Sequence, residues 1–109
     1  MERNIAPLMF AALSQETRIE VVRLLIRAGS KGVASGQIGA VLGVKPSTMS
    51  SNLSILVSAG LIRSEREGRR ILYFADFDGL RALLGFLTED CCGGAPEVCR
   101  SLLDTIVCR

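Results

Sequence analysis

A fifteen-residue stretch, KPSTMSSNLSILVSA at residues 45–59, constrains the chain more than any other. It reads as one helix with two unlike faces. Met49, Leu53, Leu56 and Val57 recur at helical spacing on one side, and Ser47, Ser51, Ser54 and Ser58 do so on the other. Pro46 suits the first helical position, where its missing N–H is not needed, and Gly60 suits the position just past the end. A short apolar helix at residues 37–42 comes directly before it, across Gly43-Val44. Two helices joined by so short a turn, the second polar on its outer face, point to a helix-turn-helix. Standing alone, the stretch would be better read as a surface helix of an all-α domain whose serines are merely solvated. The segment C-terminal to Gly60 decides between the two.

After Gly60 the apolar period changes. Leu61-Ile62 opens a strand, Glu67-Gly68 makes a turn, and Ile71-Leu72-Tyr73-Phe74 returns. Arg63, Arg66, Arg69 and Arg70 fall within eight residues, at and beside the tip. A bare hairpin could simply cover a core. Placed immediately after a helix-turn-helix, an arginine-bearing hairpin is better read as the wing that winged-helix proteins lay along DNA. The whole-chain net charge of +2 is small, so the positive patch is local to this hairpin.

The remaining segments supply a frame. Residues 5–12 form a short helix limited by Pro7. Ser14 is the expected N-cap of the next helix, with Glu16 in its first turn, and that helix runs to about Ala28. Ile19, Val22 and Ile26, flanked by Val21 and Leu25, make its apolar face, with Arg18, Arg23 and Arg27 outside. Gly29-Ser30-Lys31-Gly32 is a loop. Ser35 is expected to cap the following helix, with Ile38, Val41 and Leu42 inward. Asp76 or Asp78 caps a last long helix at residues 77–88, striped by Phe77, Leu80, Leu83, Leu84 and Leu87.

The domain has core enough without that leucine stripe. Leu80, Leu83, Leu84 and Leu87, together with Ile5 and Leu8 from the first helix, therefore read as a homodimer interface. A two-fold protein also matches a palindromic site with half-sites about one helical turn apart. The alternative is that the last helix folds back on its own domain. The fold expected is mainly α with a β-hairpin wing: four helices, two strands, a fifth helix and a short C-terminal helix. At 109 residues the chain suits one such domain. Residues 1–90 form the DNA-binding and dimerisation domain, and residues 91–109 a cysteine-bearing tail.

That tail carries all four cysteines, Cys91, Cys92, Cys99 and Cys108, in the last nineteen residues of a chain with no His. The N-terminus lacks the basic start and cleavage site of a signal peptide. No run approaches the roughly 20 apolar residues of a membrane span. The reading is a cytoplasmic protein without a membrane partner, whose thiols stay mostly reduced. Clustered thiols then point to a soft-metal, metalloid or redox site. Gly93-Gly94 allows a sharp turn, and Pro96 can start a short helix that brings Cys99 back toward Cys91-Cys92. Structural zinc wants four ligands, the CxxC spacing is absent, and hard cations prefer oxygen. Trivalent arsenic or antimony takes three sulfurs in a pyramid, and soft thiolate sites select soft ions. Oxidation of two thiols is the competing reading, and buried cysteines acting only as small apolar residues is a third. Cys108 is read as incidental. With no His, no phosphate loop and no nucleophile–base pair, the chain is not read as an enzyme, and no organic cofactor is implied.

The run from Ser14 through Phe77, SQETRIEVVRLLIRAGSKGVASGQIGAVLGVKPSTMSSNLSILVSAGLIRSEREGRRILYFADF, resembles the ArsR/SmtB family of winged-helix repressors. The match covers about residues 11–87. The resemblance implies homodimers that bind double-stranded operator DNA and release it on taking up a metal or metalloid. One family pattern puts a CxC pair where this chain has Ala34-Ser35-Gly36-Gln37, so that arsenic site is absent. Another uses His and Asp on the last helix for zinc, which a chain without His cannot supply. The tail CCGGAPEVC is similar to an arsenic-responsive subgroup with two adjacent cysteines and a third shortly after. By that resemblance Cys91, Cys92 and Cys99 bind As(III), and Sb(III) as well, as inducer. On this reading Ser47, Thr48, Ser51 and Asn52 face the major groove, where Asn can pair bidentately with adenine. The family commonly has His where this chain has Asn52. Lys45, Arg69 and Arg70 would contact phosphates. Two other readings remain: a thiol-redox repressor of the same fold, and a winged-helix module that binds protein instead of DNA.

Overall fold

The computed structural model describes residues 5–88. The chain runs α1 (Ile5–Leu13), α2 (Glu16–Ala28), a single 3-10 turn (Gly29–Lys31), β1 (Val33–Ala34), α3 (Ser35–Leu42), α4 (Pro46–Ser58), β2 (Ile62–Glu67), β3 (Arg70–Ala75) and α5 (Phe77–Thr88). The five helices and the hairpin are those expected. The two-residue β1 is new. It pairs antiparallel with β3, Val33 opposite Tyr73 and Ala34 opposite Leu72, so the hairpin is part of a three-stranded sheet of order β1-β3-β2. The hairpin register runs from Ile62–Ala75 at the base to Glu67–Arg70 at the tip. Its turn is Gly68-Arg69, one residue later than the sequence pattern indicates, because Glu67 still belongs to the ladder.

Local chemistry explains most boundaries, with two corrections and one choice between alternatives settled. Ser14 does not cap α2. Gln15 does, its Oε1 accepting the Arg18 backbone N–H at 3.0 Å, while the Ser14 hydroxyl turns back to the Ala11 carbonyl at 2.6 Å. Ser35 is the first residue of α3, whose N-cap is Ala34 with no side-chain bond. Of the two aspartates, Asp76 is the cap of α5: its Oδ1 accepts the Gly79 N–H at 2.9 Å, and its own N–H is held by the Leu61 carbonyl at 3.0 Å. One residue thus ends the wing and starts the last helix. Asp78 instead forms an exposed i,i+3 ion pair with Arg81.

The core sits where α2, α3 and α4 meet the hairpin base. Met9, Val21, Val22, Leu25, Ile38, Met49, Leu53, Leu56, Leu61 and Ile62 are buried in it. Several residues read as inward are not. Ile19 and Ile26 on α2, Val41 on α3 and Val57 on α4 are exposed, because Val21, Val22 and Leu25 centre the α2 face one residue away from the expected line and α3 has room for only Ile38 and a half-buried Leu42. α5 docks through a glycine contact. Gly60, at φ +80°, presents its carbonyl to Gly79, and a Cβ on Gly79 would collide with that oxygen. Close backbone approach of this kind admits only glycine.

Candidate nucleic-acid interface

The turn between α3 and α4 is tight because Gly43 adopts φ +66° as the C-cap of α3, and the Val44 N–H bonds back to the Gly39 carbonyl at 3.0 Å. α4 begins at Pro46, with Met49 N–H bonding to the Lys45 carbonyl at 2.9 Å. Its inner face inserts Met49, Leu53 and Leu56 into the core. Its outer face shows Ser47, Thr48, Ser51, Ser54 and Ser58 to solvent, all exposed. These are short side chains on a rigid, well-anchored helix, so little entropy is lost when they contact a partner. The Ser51 hydroxyl donates to the Ser47 carbonyl at 3.4 Å, a long i−4 bond. While that bond is kept, Ser51 offers a partner only acceptor lone pairs.

Asn52 departs from the sequence reading. Its polarity puts it in the groove-facing set, yet it is buried, 5% exposed, on the inner face between Met49 and Leu56. Its Oδ1 accepts from Arg18 Nη1 at 3.1 Å, and Arg18 Nε donates to the Ala12 carbonyl at 2.6 Å. A side chain so enclosed and so bonded does not reach a base edge. Arg18, placed outside the apolar face from sequence, is half-buried and ties α1, α2 and α4 together. The signal for Asn52 lies in the pattern: positions 49, 52, 53 and 56 form one helical stripe. Nothing local marks Arg18 as its partner.

The wing adds charge. Only Ile62 of β2 is buried, so the hairpin projects from the body. Over residues 63–70 four arginines stand against two glutamates, a surplus of two positive charges. Arg63 pairs with Glu65 at 2.8 Å and lies over the Phe74 ring at 4.5 Å, which fixes it to the hairpin base. Arg70 pairs with Glu67 at 2.8 Å, and both side chains are well exposed. Such pairs contribute about 0–1 kcal/mol, so the guanidinium can exchange its carboxylate for a phosphate at little cost. Arg69, at the turn, and Lys45, before α4, make no ion pair among the described residues. Lys45, the α4 hydroxyls, Arg69 and Arg70 are therefore all exposed, as a groove-reading helix flanked by phosphate contacts requires.

A second surface lies on α1 and α5, which pack against each other. Leu8, Leu84 and Leu87 are exposed at 60%, 44% and 53%. The expected dimer set needs correction at Leu83, while Ile5 and Leu80 divide their surface between the core and the outside. Leu83 is buried at 5% and packs into its own domain, and Ile5 and Leu80 are half-buried against the same core. The stripe serves two faces, because adjacent leucines on a helix point about 100° apart. The proposed ligands Cys91, Cys92 and Cys99, and the boundary between residues 90 and 91, lie outside the described residues. Among the described residues no helix is long and apolar enough to cross a membrane, and no three His, Cys, Asp or Glu side chains cluster as a metal site.

A tight helix-turn-helix with an exposed polar second helix, followed by a projecting basic hairpin, defines a winged helix-turn-helix DNA-binding protein. A family model described as a helix-turn-helix domain matches residues 13–65. The uncharacterized HTH-type transcriptional regulator YbzH of Bacillus subtilis is 34% identical over 94 residues, covering 75% of this chain and 94% of its own length. The fold is similar to an ArsR-like transcriptional regulator from Rhodococcus sp. RHA1, with a TM-score of 0.71, 26% identity, and coverage of 95% of this chain and 93% of that one. It is also similar to the homodimeric winged helix-turn-helix DNA-binding domain of Mb0332 from Mycobacterium bovis, a possible ArsR-family regulator, with a TM-score of 0.66, 28% identity, and coverage of 80% and 81%. The chain belongs to the ArsR family of winged-helix transcriptional regulators. It is a DNA-binding regulator and not an enzyme.

Proposed function

We propose that the chain is a homodimeric repressor that releases operator DNA when As(III), or Sb(III), binds Cys91, Cys92 and Cys99. The observation that carries this reading is the placement of the thiols. They begin three residues after α5 ends at Thr88, the helix whose exposed Leu84 and Leu87 face outward. Three thiols without His suit a soft trivalent ion, which bonds three sulfurs and directs its lone pair to the fourth position. The dimer is supported by the exposed apolar strip of Leu8, Leu84 and Leu87 and by the homodimeric Mycobacterium bovis relative. Residues 1–90 then act as reader and dimer, and residues 91–109 as sensor. Ser47, Thr48 and Ser51 enter the major groove, and Lys45, Arg69 and Arg70 bind phosphates. Ligation beside α5 alters how the two α5 helices meet, which changes the separation of the two α4 helices. By linkage, DNA weakens arsenite binding by the same factor that arsenite weakens DNA binding.

The test uses a duplex selected by the full-length protein from a random pool. Fluorescence anisotropy follows its release by arsenite, antimonite, zinc and peroxide in parallel. Arsenite is expected to weaken binding about 5- to 150-fold, the usual range of allosteric coupling. Cys91→Ser, Cys92→Ser and Cys99→Ser should each abolish that response and keep DNA affinity. Normal release by arsenite in all three variants sinks the ligand assignment, and release by zinc alone sinks the metalloid reading.

A further inference from the structure

Among the described residues, Asn52 is the one buried polar or charged side chain, and it sits on the helix that faces DNA. Stability does not ask for it. Its neighbours on the inner face are Met49, Leu53 and Leu56, and an apolar residue there would join the core without needing a partner. A buried amide is costly unless it is hydrogen-bonded. It is tolerated because Arg18 reaches it across 34 positions of sequence.

The arginine does more than satisfy Asn52. Its Nε holds the carbonyl of Ala12, next to the last residue of α1, and its Nη1 holds Oδ1 of Asn52 on α4. The last carbonyls of a helix have no partner inside it, so Ala12 has an acceptor to offer. A guanidinium is planar and its donors are fixed relative to one another. The two bonds therefore set the distance between the end of α1 and the middle of α4. Core packing of Met9 and Ala12 against the inner face of α4 is incomplete there. An open groove of about 410 Å³ lies between the two helices, lined by Leu8, Ala11, Ser54, Ile55 and Ser58, with Arg18 itself in the wall.

We propose that Arg18 is a positioning residue: by bridging Ala12 and Asn52 it fixes the offset between α1, on the dimer side, and α4, on the DNA side, and so sets the half-site spacing that the dimer accepts. This rests on the homodimer reading of the proposed function. Side chains at Leu8 and on α5 fix one protomer against the other, and Arg18 passes that geometry to the reading helix. Without the bridge α4 can shift against the open groove. The dimer then tolerates misplaced half-sites and binds the best site less well.

The test again starts from a duplex selected by the full-length protein from a random pool. A series is built in which the two half-sites are moved together or apart by single base pairs. The wild-type chain is expected to lose affinity steeply as the spacing departs from its optimum. Arg18→Lys keeps the charge but has no planar fork, and Asn52→Leu removes the acceptor while keeping an apolar fit. Each variant, shown folded by circular dichroism, should bind the best-spaced duplex about tenfold more weakly, the size expected from losing a bond to a charged group. Affinity for displaced half-sites should stay nearly unchanged, as should the salt slope, because the phosphate contacts are intact. If Arg18→Lys fails to fold, Asn52→Leu carries the test alone. Folded variants that keep the wild-type preference for spacing, or that lose affinity equally at every spacing, overturn the bridge. A wild-type chain that selects lone half-sites overturns it through the homodimer reading instead.

Discussion

α4 and α5 are nearly the same length, 13 and 12 residues, and both carry an apolar stripe, yet they finish in opposite conditions. α4 buries Met49, Asn52, Leu53 and Leu56 and shows water a row of serines. α5 buries only Leu83 and shows water Phe77, Leu84 and Leu87. The first helix buries most of its apolar stripe within one chain, leaving Ile55 and Val57 exposed at its C-terminal end, and its serine row is polar enough to remain exposed or to meet a polar polymer. The second leaves apolar surface uncovered, at about 25 cal/mol for each Å², and the adjoining α1 exposes Leu8 and Phe10 as well. The division of labour follows from this difference. On the proposed function, reading falls to the helix whose outer row is serine, and association to the helix that buries only Leu83 of its stripe.

Leucine truncation at matched depths along the two helices tests the contrast most strongly. Leu56 is fully enclosed. Leu56→Ala should cost about 2–5 kcal/mol of folding stability, the transfer loss plus the cavity left behind, read as a drop in the urea midpoint. Leu87, 53% exposed, should behave otherwise. Leu87→Ser should leave the fold of the single chain within about 0.5 kcal/mol of wild type. It should instead weaken self-association, by about 2 kcal/mol per dimer if the side chain is covered by the partner, measured by sedimentation equilibrium. A Leu87→Ser chain that melts like Leu56→Ala would mean that α5 is a core helix after all.

Helix periodicity and the change of period after Gly60 are enough to place the five helices of the described residues and the wing, because each element satisfies its own local rules. The errors share one cause. A stripe tells which residues lie on one side of a helix, but not how wide the neighbouring surface is. Leu83 and Leu84 are adjacent in the chain, and α5 buries one and exposes the other because only a narrow strip of it meets the domain. Polarity points Asn52 outward, although helical geometry puts it with Met49 and Leu56. Its burial depends on Arg18, 34 residues away, and a local pattern holds no record of such a pairing. β1 escapes notice for the same reason, since two residues become a strand only when β3 lies beside them. The outward residues Lys45, Ser47, Thr48, Ser51, Arg69 and Arg70 are legible because exposure needs no partner.

The smallest expected effect sharpens the comparison from the polar side. Ser51 is exposed, and its hydroxyl leans on the Ser47 carbonyl at 3.4 Å. Alanine is the better helix former by a few tenths of a kcal/mol and removes a competitor for that carbonyl. Ser51→Ala should therefore leave folding unchanged or slightly improved, by less than about 0.5 kcal/mol. Its effect on binding depends on what reads the operator. If the α4 hydroxyls discriminate bases, the selected duplex should bind about fivefold or more weakly, a loss of about 1 kcal/mol or more, with non-cognate DNA unaffected. If the basic wing and the shape of the duplex carry the choice, the anisotropy titrations of Ser51→Ala and wild type will overlay within about twofold. Arg69→Ala would then reduce binding to all sequences alike and flatten the salt dependence by about one unit for each lost phosphate contact. With so little reach in its side chains, α4 is expected to fall nearer the second outcome, where its role is to hold the wing in register with the groove.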